Sequence, residues 1–134
     1  MDTLDAVLTQ MDLNFLGSGQ HKILAPALLS DPNALLLDVR TAEEAATVKL
    51  DFIYHLTTLH IPLHCLPERF AAVPTDRVVG IFCPQSVRAS IAYTYLRAHG
   101  YTKVYVFEGG YAALVDEARP GKILAQMKRG EAKD

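Results

Sequence analysis

The stretch Arg77-Val78-Val79-Gly80-Ile81-Phe82-Cys83-Pro84-Gln85-Ser86-Val87-Arg88 sets the fold expectation for this chain. Its first half is rich in β-branched and apolar residues and follows the turn-forming Pro74-Thr75-Asp76, which predicts a strand over 77–82. Its second half runs into Val87 to His99, where Ile91, Tyr95 and Leu96 stand among small alanines and Gly100 supplies a C-terminal stop. A strand, a short loop and a helix therefore meet at Cys83. Such a loop can turn successive backbone N–H groups inward and form an anion nest at the helix N-terminus. A thiol placed there, with Arg88 nearby, is favoured as the thiolate, the nucleophilic form. The competing expectation is a small buried hydrophobe at a strand end, the commoner fate of a free cysteine.

Outward from this stretch the pattern alternates between strand and helix. Towards the N-terminus, Ala34-Leu35-Leu36-Leu37-Asp38-Val39 is a continuous apolar run that suits a strand covered on both faces. Thr41 and Glu44 then form a capping-box signature. His21-Lys22-Ile23 is a weaker strand, Ala25 to Leu29 a short helix, and Asp31-Pro32-Asn33 a turn. A short strand is expected over 59–63 and a helix over 67–72. Towards the C-terminus, Lys103 to Phe107 reads as a strand and Tyr111 to Ala118 as a helix. Ile123, Leu124 and Met127 mark a last helix before a solvated end at Lys128-Arg129. At the start, Leu4, Val7, Leu8 and Met11 hold one helical face, capped by Asp2 or Thr3, before Gly17-Ser18-Gly19 breaks the pattern. Alternating strands and helices predict βαβ units, hence a single α/β domain around a mostly parallel five-stranded sheet flanked by helices. The expected organisation is an N-terminal helix and linker over 1–20, the domain over 21–118, and a C-terminal helix and tail over 119–134. Ligands of such sheets bind beyond the carboxyl ends of the strands, which is where Cys83 falls.

The bulk composition narrows the function classes. At 134 residues, half of them hydrophobic and 21% charged, the chain suits one globular domain. A net charge of -2 with scattered basic residues argues against nucleic acid. The apolar runs are too short for a membrane span. The acidic start Met1-Asp2-Thr3-Leu4-Asp5 lacks a secretory pattern, which predicts a cytoplasmic protein. Two cysteines, Cys65 and Cys83, build no disulfide framework. Cys65 is expected to pack against the sheet, with a resolving-thiol role as the alternative. His55, His60 and His64 lack a metal-binding pattern, since Pro62 interrupts any shared helix face, so neither metal nor organic cofactor is expected. The apolar face of the first helix leaves monomer and homodimer both open.

Four separated motifs carry a resemblance. Leu36-Leu37-Asp38-Val39-Arg40 with Glu43-Glu44, then Cys83 with Arg88, then Gly100-Tyr101 and Val104-Tyr105, then Glu108-Gly109-Gly110-Tyr111, occur in an order similar to that of the rhodanese homology domain. The resemblance covers roughly 21–118. It implies a sulfurtransferase or persulfide carrier, in which Cys83 accepts sulfane sulfur from a small donor and passes it to a thiol or cyanide. Residues Pro84, Gln85, Ser86 and Val87 would form the cradle, Arg88 its closing positive charge, and Asp38 and Arg40 a support for the site.

The chain also departs from that family. Ser86 stands where the family usually has glycine, at a cost of about 1 kcal/mol if the position needs φ > 0. Pro84 removes one N–H donor. Val48 to Thr58 replaces a glycine-containing family segment, and Arg88 is the loop's single charge. These features leave a non-catalytic binding module as the alternative. A cysteine phosphatase or arsenate reductase is the third reading; its cradle is one residue longer than the four residues between Cys83 and Arg88 here.

Overall fold

The structure is a computed structural model and describes residues 3–133. Its strands are β1 (Lys22–Ile23), β2 (Leu35–Asp38), β3 (Thr57–His60), β4 (Val79–Phe82) and β5 (Val104–Phe107). They form one sheet in the order β1-β5-β4-β2-β3, and every pairing is parallel. The expected five-stranded α/β architecture is present, with the sheet wholly rather than mostly parallel.

Each parallel pairing needs a crossover, and the helices supply it. In chain order they are α1 (Leu4–Thr9), α2 (Leu13–Gly17), α3 (Ala25–Leu29), α4 (Ala42–Thr47), α5 (Leu66–Arg69), α6 (Val87–Ala98), α7 (Gly110–Asp116) and α8 (Pro120–Lys133). Side chains alternate across the sheet, so successive leucines of β2 serve opposite faces. Leu35 and Leu37 join Val79, Ile81 and Cys83 under Ala89, Ala92, Tyr93 and Leu96 of α6. Leu36 and Phe82 join Phe107 under Leu28 of α3, Leu50 and Leu114 of α7. Both β2 and β4 are buried along their whole length, as continuous apolar runs predict.

Several expectations need correction. The N-terminal region is not one helix and a linker. The Asp12 carboxylate accepts the Phe15 N–H at 2.9 Å and starts a second helix, α2, so the first ends at Thr9. Thr3 caps α1, accepting from the Ala6 N–H at 3.1 Å; Asp2 lies outside the described residues. Of the expected apolar face, Val7 is buried, while Leu4 and Leu8 are more than half exposed.

Strand β3 lies two residues earlier than expected. Pairing with β2 runs from Leu35↔Thr57 to Asp38↔His60, and the chain then leaves the sheet at Ile61-Pro62 for a 3-10 turn over Leu63–Cys65. The expected helix over 67–72 is α5 followed by a second 3-10 turn, Phe70–Ala72. The solvated end at Lys128-Arg129 is half right. Lys128 is exposed, but the Arg129 guanidinium donates to the carbonyls of Leu29 and Ser30, which the end of α3 leaves unpaired. Among the described residues, no helix is long and apolar enough to cross a membrane.

Candidate functional site

Cys83 is the first residue after the central strand β4, and only 1% of its surface is exposed. The next residues double back into α6, so that the Ala89 N–H donates to the Cys83 Sγ at 3.2 Å. That reversal depends on Ser86, which adopts φ 68°, ψ -8° as the N-cap of α6. Among the described residues it is the one non-glycine at positive φ. Left-handed backbone there turns the loop back so that one free N–H of the first turn of α6, that of Ala89, reaches the sulfur.

Cys83, Pro84, Gln85, Val87 and Arg88 line a pocket of ≈ 300 Å³ together with Glu44. The start of α7 packs against the loop at Pro84. Gly110, at φ 55°, lies so close that a Cβ would stand 2.5 Å from the Pro84 carbonyl oxygen. No side chain fits between the two loops at Gly110, whereas Gly109, at φ 105°, is required by its left-handed backbone and by Ala113, 2.6 Å from where its Cβ would stand.

The charges are arranged in two layers. Nearest the sulfur, Arg88 binds Glu44 through both terminal nitrogens, at 2.6 and 2.8 Å. Glu44 is itself fixed by the expected capping box: its Oε1 accepts from the Thr41 N–H at 3.0 Å and the Thr41 hydroxyl at 2.9 Å. The Arg88 guanidinium, and then Thr41, hold the Glu44 carboxyl well below the usual carboxylate range. Behind this pair lies Arg40, fully buried and bidentate to Asp38 at 2.8 and 2.9 Å. Its Nη1 also donates to the Val48 carbonyl at 2.7 Å and the Tyr111 hydroxyl at 3.0 Å. Burial opposes the Arg40 charge, but the bonds to Asp38 and Tyr111 outweigh it and raise its pKa. This buried cation ties β2, the chain beyond α4, and α7 to one point under the pocket.

Of the loop residues expected from the sequence, Cys83, Pro84, Gln85, Val87 and Arg88 are brought together in the pocket lining, whereas Ser86, Asp38 and Arg40 lie outside it. Asp38 and Arg40 face a separate cavity of ≈ 680 Å³ that is walled by residues of the 48–58 segment and His60. His60 is held by the Arg40 carbonyl at 2.8 Å and His55 by the Glu117 carbonyl at 2.8 Å. Cys65 is partly buried against the core on the α6 side of the sheet. Two contributors were missed by sequence reasoning: Glu44 as the partner of Arg88, and Tyr111 as a partner of Arg40. Both stand inside the quoted motifs, so the signal was present, but the contacts span 44 and 71 residues.

Comparison with known proteins gives a consistent result. A sulfurtransferase of Allochromatium vinosum is 32% identical over 97 residues, covering 72% of this chain and 86% of that protein. Among solved structures, a rhodanese-like domain protein from Staphylococcus aureus matches with a TM-score of 0.58 and 26% identity, covering 69% of this chain and 89% of that one. A NAD-dependent persulfide reductase from A. fulgidus matches with a TM-score of 0.57 and 29% identity, over 74% of this chain but 17% of that much longer one. The family model for the rhodanese-like domain matches residues 24–117, and the chain belongs to that family.

Proposed function

We propose that this protein is a rhodanese-type sulfurtransferase or persulfide carrier that uses Cys83 as its sulfur acceptor. The observation that carries this reading is the Ala89 N–H aimed at a buried Cys83 Sγ by a left-handed Ser86. A thiolate there attacks the outer sulfur of a small sulfane donor. The donor's S–S bond breaks, its remainder leaves with the bonding electron pair, and Cys83 carries the persulfide. A thiol or cyanide then takes the terminal sulfur and restores the thiolate. Loop N–H groups stabilise the anionic persulfide, and the Arg88–Glu44 pair fixes the loop's far end. Asp38 and Arg40 act at a distance by anchoring the strand end and Tyr111.

The relatives' names and the family weigh against a non-catalytic module, and the loop length weighs against phosphatase or arsenate reductase chemistry. The partners in this reading are a sulfur donor and a thiol acceptor, with the protein acting as monomer or homodimer. Free thiols at Cys65 and Cys83 suit a reducing compartment, which favours the cytoplasm. Residues 21–118 would form the catalytic domain, with an N-terminal segment over 1–20 and a C-terminal helix and tail over 119–134.

Mass spectrometry after incubation with thiosulfate, a polysulfide or a small persulfide tests the proposal. One sulfur should be added to the Cys83 peptide and released by cyanide as thiocyanate. Cys83→Ser should abolish uptake, while Cys65→Ser should retain it. A wild-type protein that gains no sulfur from thiosulfate, a polysulfide or a small persulfide would overturn this reading.

A further inference from the structure

We propose that Glu44 selects the sulfur donor: by neutralising Arg88 it turns doubly charged donors away from the Cys83 pocket and leaves it to persulfides of lower charge. This inference rests on the sulfur-transfer reading above. Arg88 is the one cation lining the pocket, among Glu44, Cys83, Pro84, Gln85 and Val87. Both of its terminal nitrogens point to the Glu44 carboxylate, at 2.6 and 2.8 Å. That fork is the geometry a sulfonate or sulfate group would need for itself. Swinging the carboxylate aside for a ligand would break two further hydrogen bonds, because Thr41 holds Oε1 at 3.0 and 2.9 Å.

The fixed charges of the pocket therefore cancel, and what remains positive is the set of loop and helix N–H groups. Those donors suit one extra sulfur with a diffuse charge. Thiosulfate brings a sulfonate as well, which would meet a carboxylate at the pocket wall, and like charges brought together cost several-fold in affinity. Rejection by a placed repulsive group is a common route to specificity.

The two donor reactions differ in the charge they carry past Glu44. With thiosulfate, the Cys83 thiolate takes the sulfane sulfur, the S–S bond breaks, and sulfite leaves as a dianion. With a persulfide R–S–SH, the thiolate takes the outer sulfur; the departing RS⁻ accepts the proton and leaves as a neutral thiol group. Glu44 opposes the first at every stage and the second hardly at all.

Glu44→Gln removes the charge yet keeps an acceptor for Arg88 and the capping role, since Gln also serves in a capping box. Persulfide formation is measured with thiosulfate and with a small persulfide lacking a carboxylate, at low and high ionic strength. The ratio of the two kcat/KM values, thiosulfate over persulfide, should rise about tenfold in Glu44→Gln at low salt, through a lower KM for thiosulfate. High salt should shrink the gain, because screening acts on the charge and not on the fold. Glu44→Asp, which restores the charge, should bring the ratio back towards wild type. A ratio that does not rise in Glu44→Gln at either salt level overturns the proposal and leaves Glu44 a loop support. Sulfate binding by calorimetry separates this failure from that of the transfer reading. If wild type accepts sulfur from no donor, tighter sulfate binding by Glu44→Gln still supports the charge role, and equal binding overturns it.

Discussion

Ser86 holds φ 68° without a side-chain cap, a conformation that glycine adopts freely and serine does not. Replacing it by glycine removes that strain but loosens the unfolded chain, and the two effects oppose each other. The strain is the larger here, because Cβ crowds the following carbonyl in left-handed backbone. Ser86→Gly should raise stability by up to about 1 kcal/mol, read as a higher denaturant midpoint. A midpoint that falls would show that the serine is not strained. Gly110 gives the opposite case. Its missing Cβ is what lets the Pro84 carbonyl approach, with 2.5 Å available where a carbon needs well over 3 Å. Gly110→Ala should cost about 1–3 kcal/mol and slow sulfur uptake, as the loop is pushed off Cys83. Unchanged stability and uptake would mean that α7 yields without disturbing the loop.

Between elements, the Glu44–Arg88 pair links the first turn of α4 to the first turn of α6, and its acid sensitivity has a definite sign. The folded-state pKa of Glu44 lies below its ordinary value of 4.5. Its ionised form therefore favours the fold above about pH 4.5, and this contribution is lost as pH falls from there through the folded value. Both side chains are 33% exposed, so solvent screening reduces the effect. Chemical denaturation between pH 6 and 3, on the order of neutral to acidic conditions, should show a shallower acid loss for Glu44→Gln than for wild type. Parallel curves would place the acid sensitivity elsewhere.

At this scale the chain was legible where one face or both were apolar. The β4–loop–α6 unit could be read because Val79 to Phe82 is buried throughout and Gly100 stops the helix. Strand β3 was harder. It lies at the sheet edge with the polar pair Thr57-Thr58, while the more apolar Ile61 and Pro62 are buried just past its end, outside the paired register, and Leu63 is partly buried. Apolar content reports burial, and only hydrogen-bond register reports the strand. The cysteine loop was legible as a local unit. Its charge partner was not, because no local rule links residue 88 to residue 44 across the sheet.

Taken whole, the molecule packs α1 onto α6 through Val7, which is 2% exposed, whereas Leu8 one residue on is 53% exposed. If the N-terminal helices and the sheet unfold together, Val7→Ala should lower stability by about 1.5–2.5 kcal/mol, read as a lower single denaturation midpoint, and Leu8→Ala should leave it nearly unchanged. Two separate transitions would show instead that residues 1–20 are an independent attachment. The sheet order has a consequence for biosynthesis. Strand β1, at residues 22–23, pairs with β5, at 104–107, and Pro84 rests against Gly110. A ribosome that has delivered Cys83 has not yet delivered β5 or α7, so the nascent β4 can pair with β2 but lacks its other sheet neighbour and the backing of its loop. Long-range parallel pairing of this kind forms slowly, after its last strand is free. Assembly around Cys83 thus waits on residues 104–116, and a chain cut before them would carry the cysteine loop without β5 or the backing of Gly110.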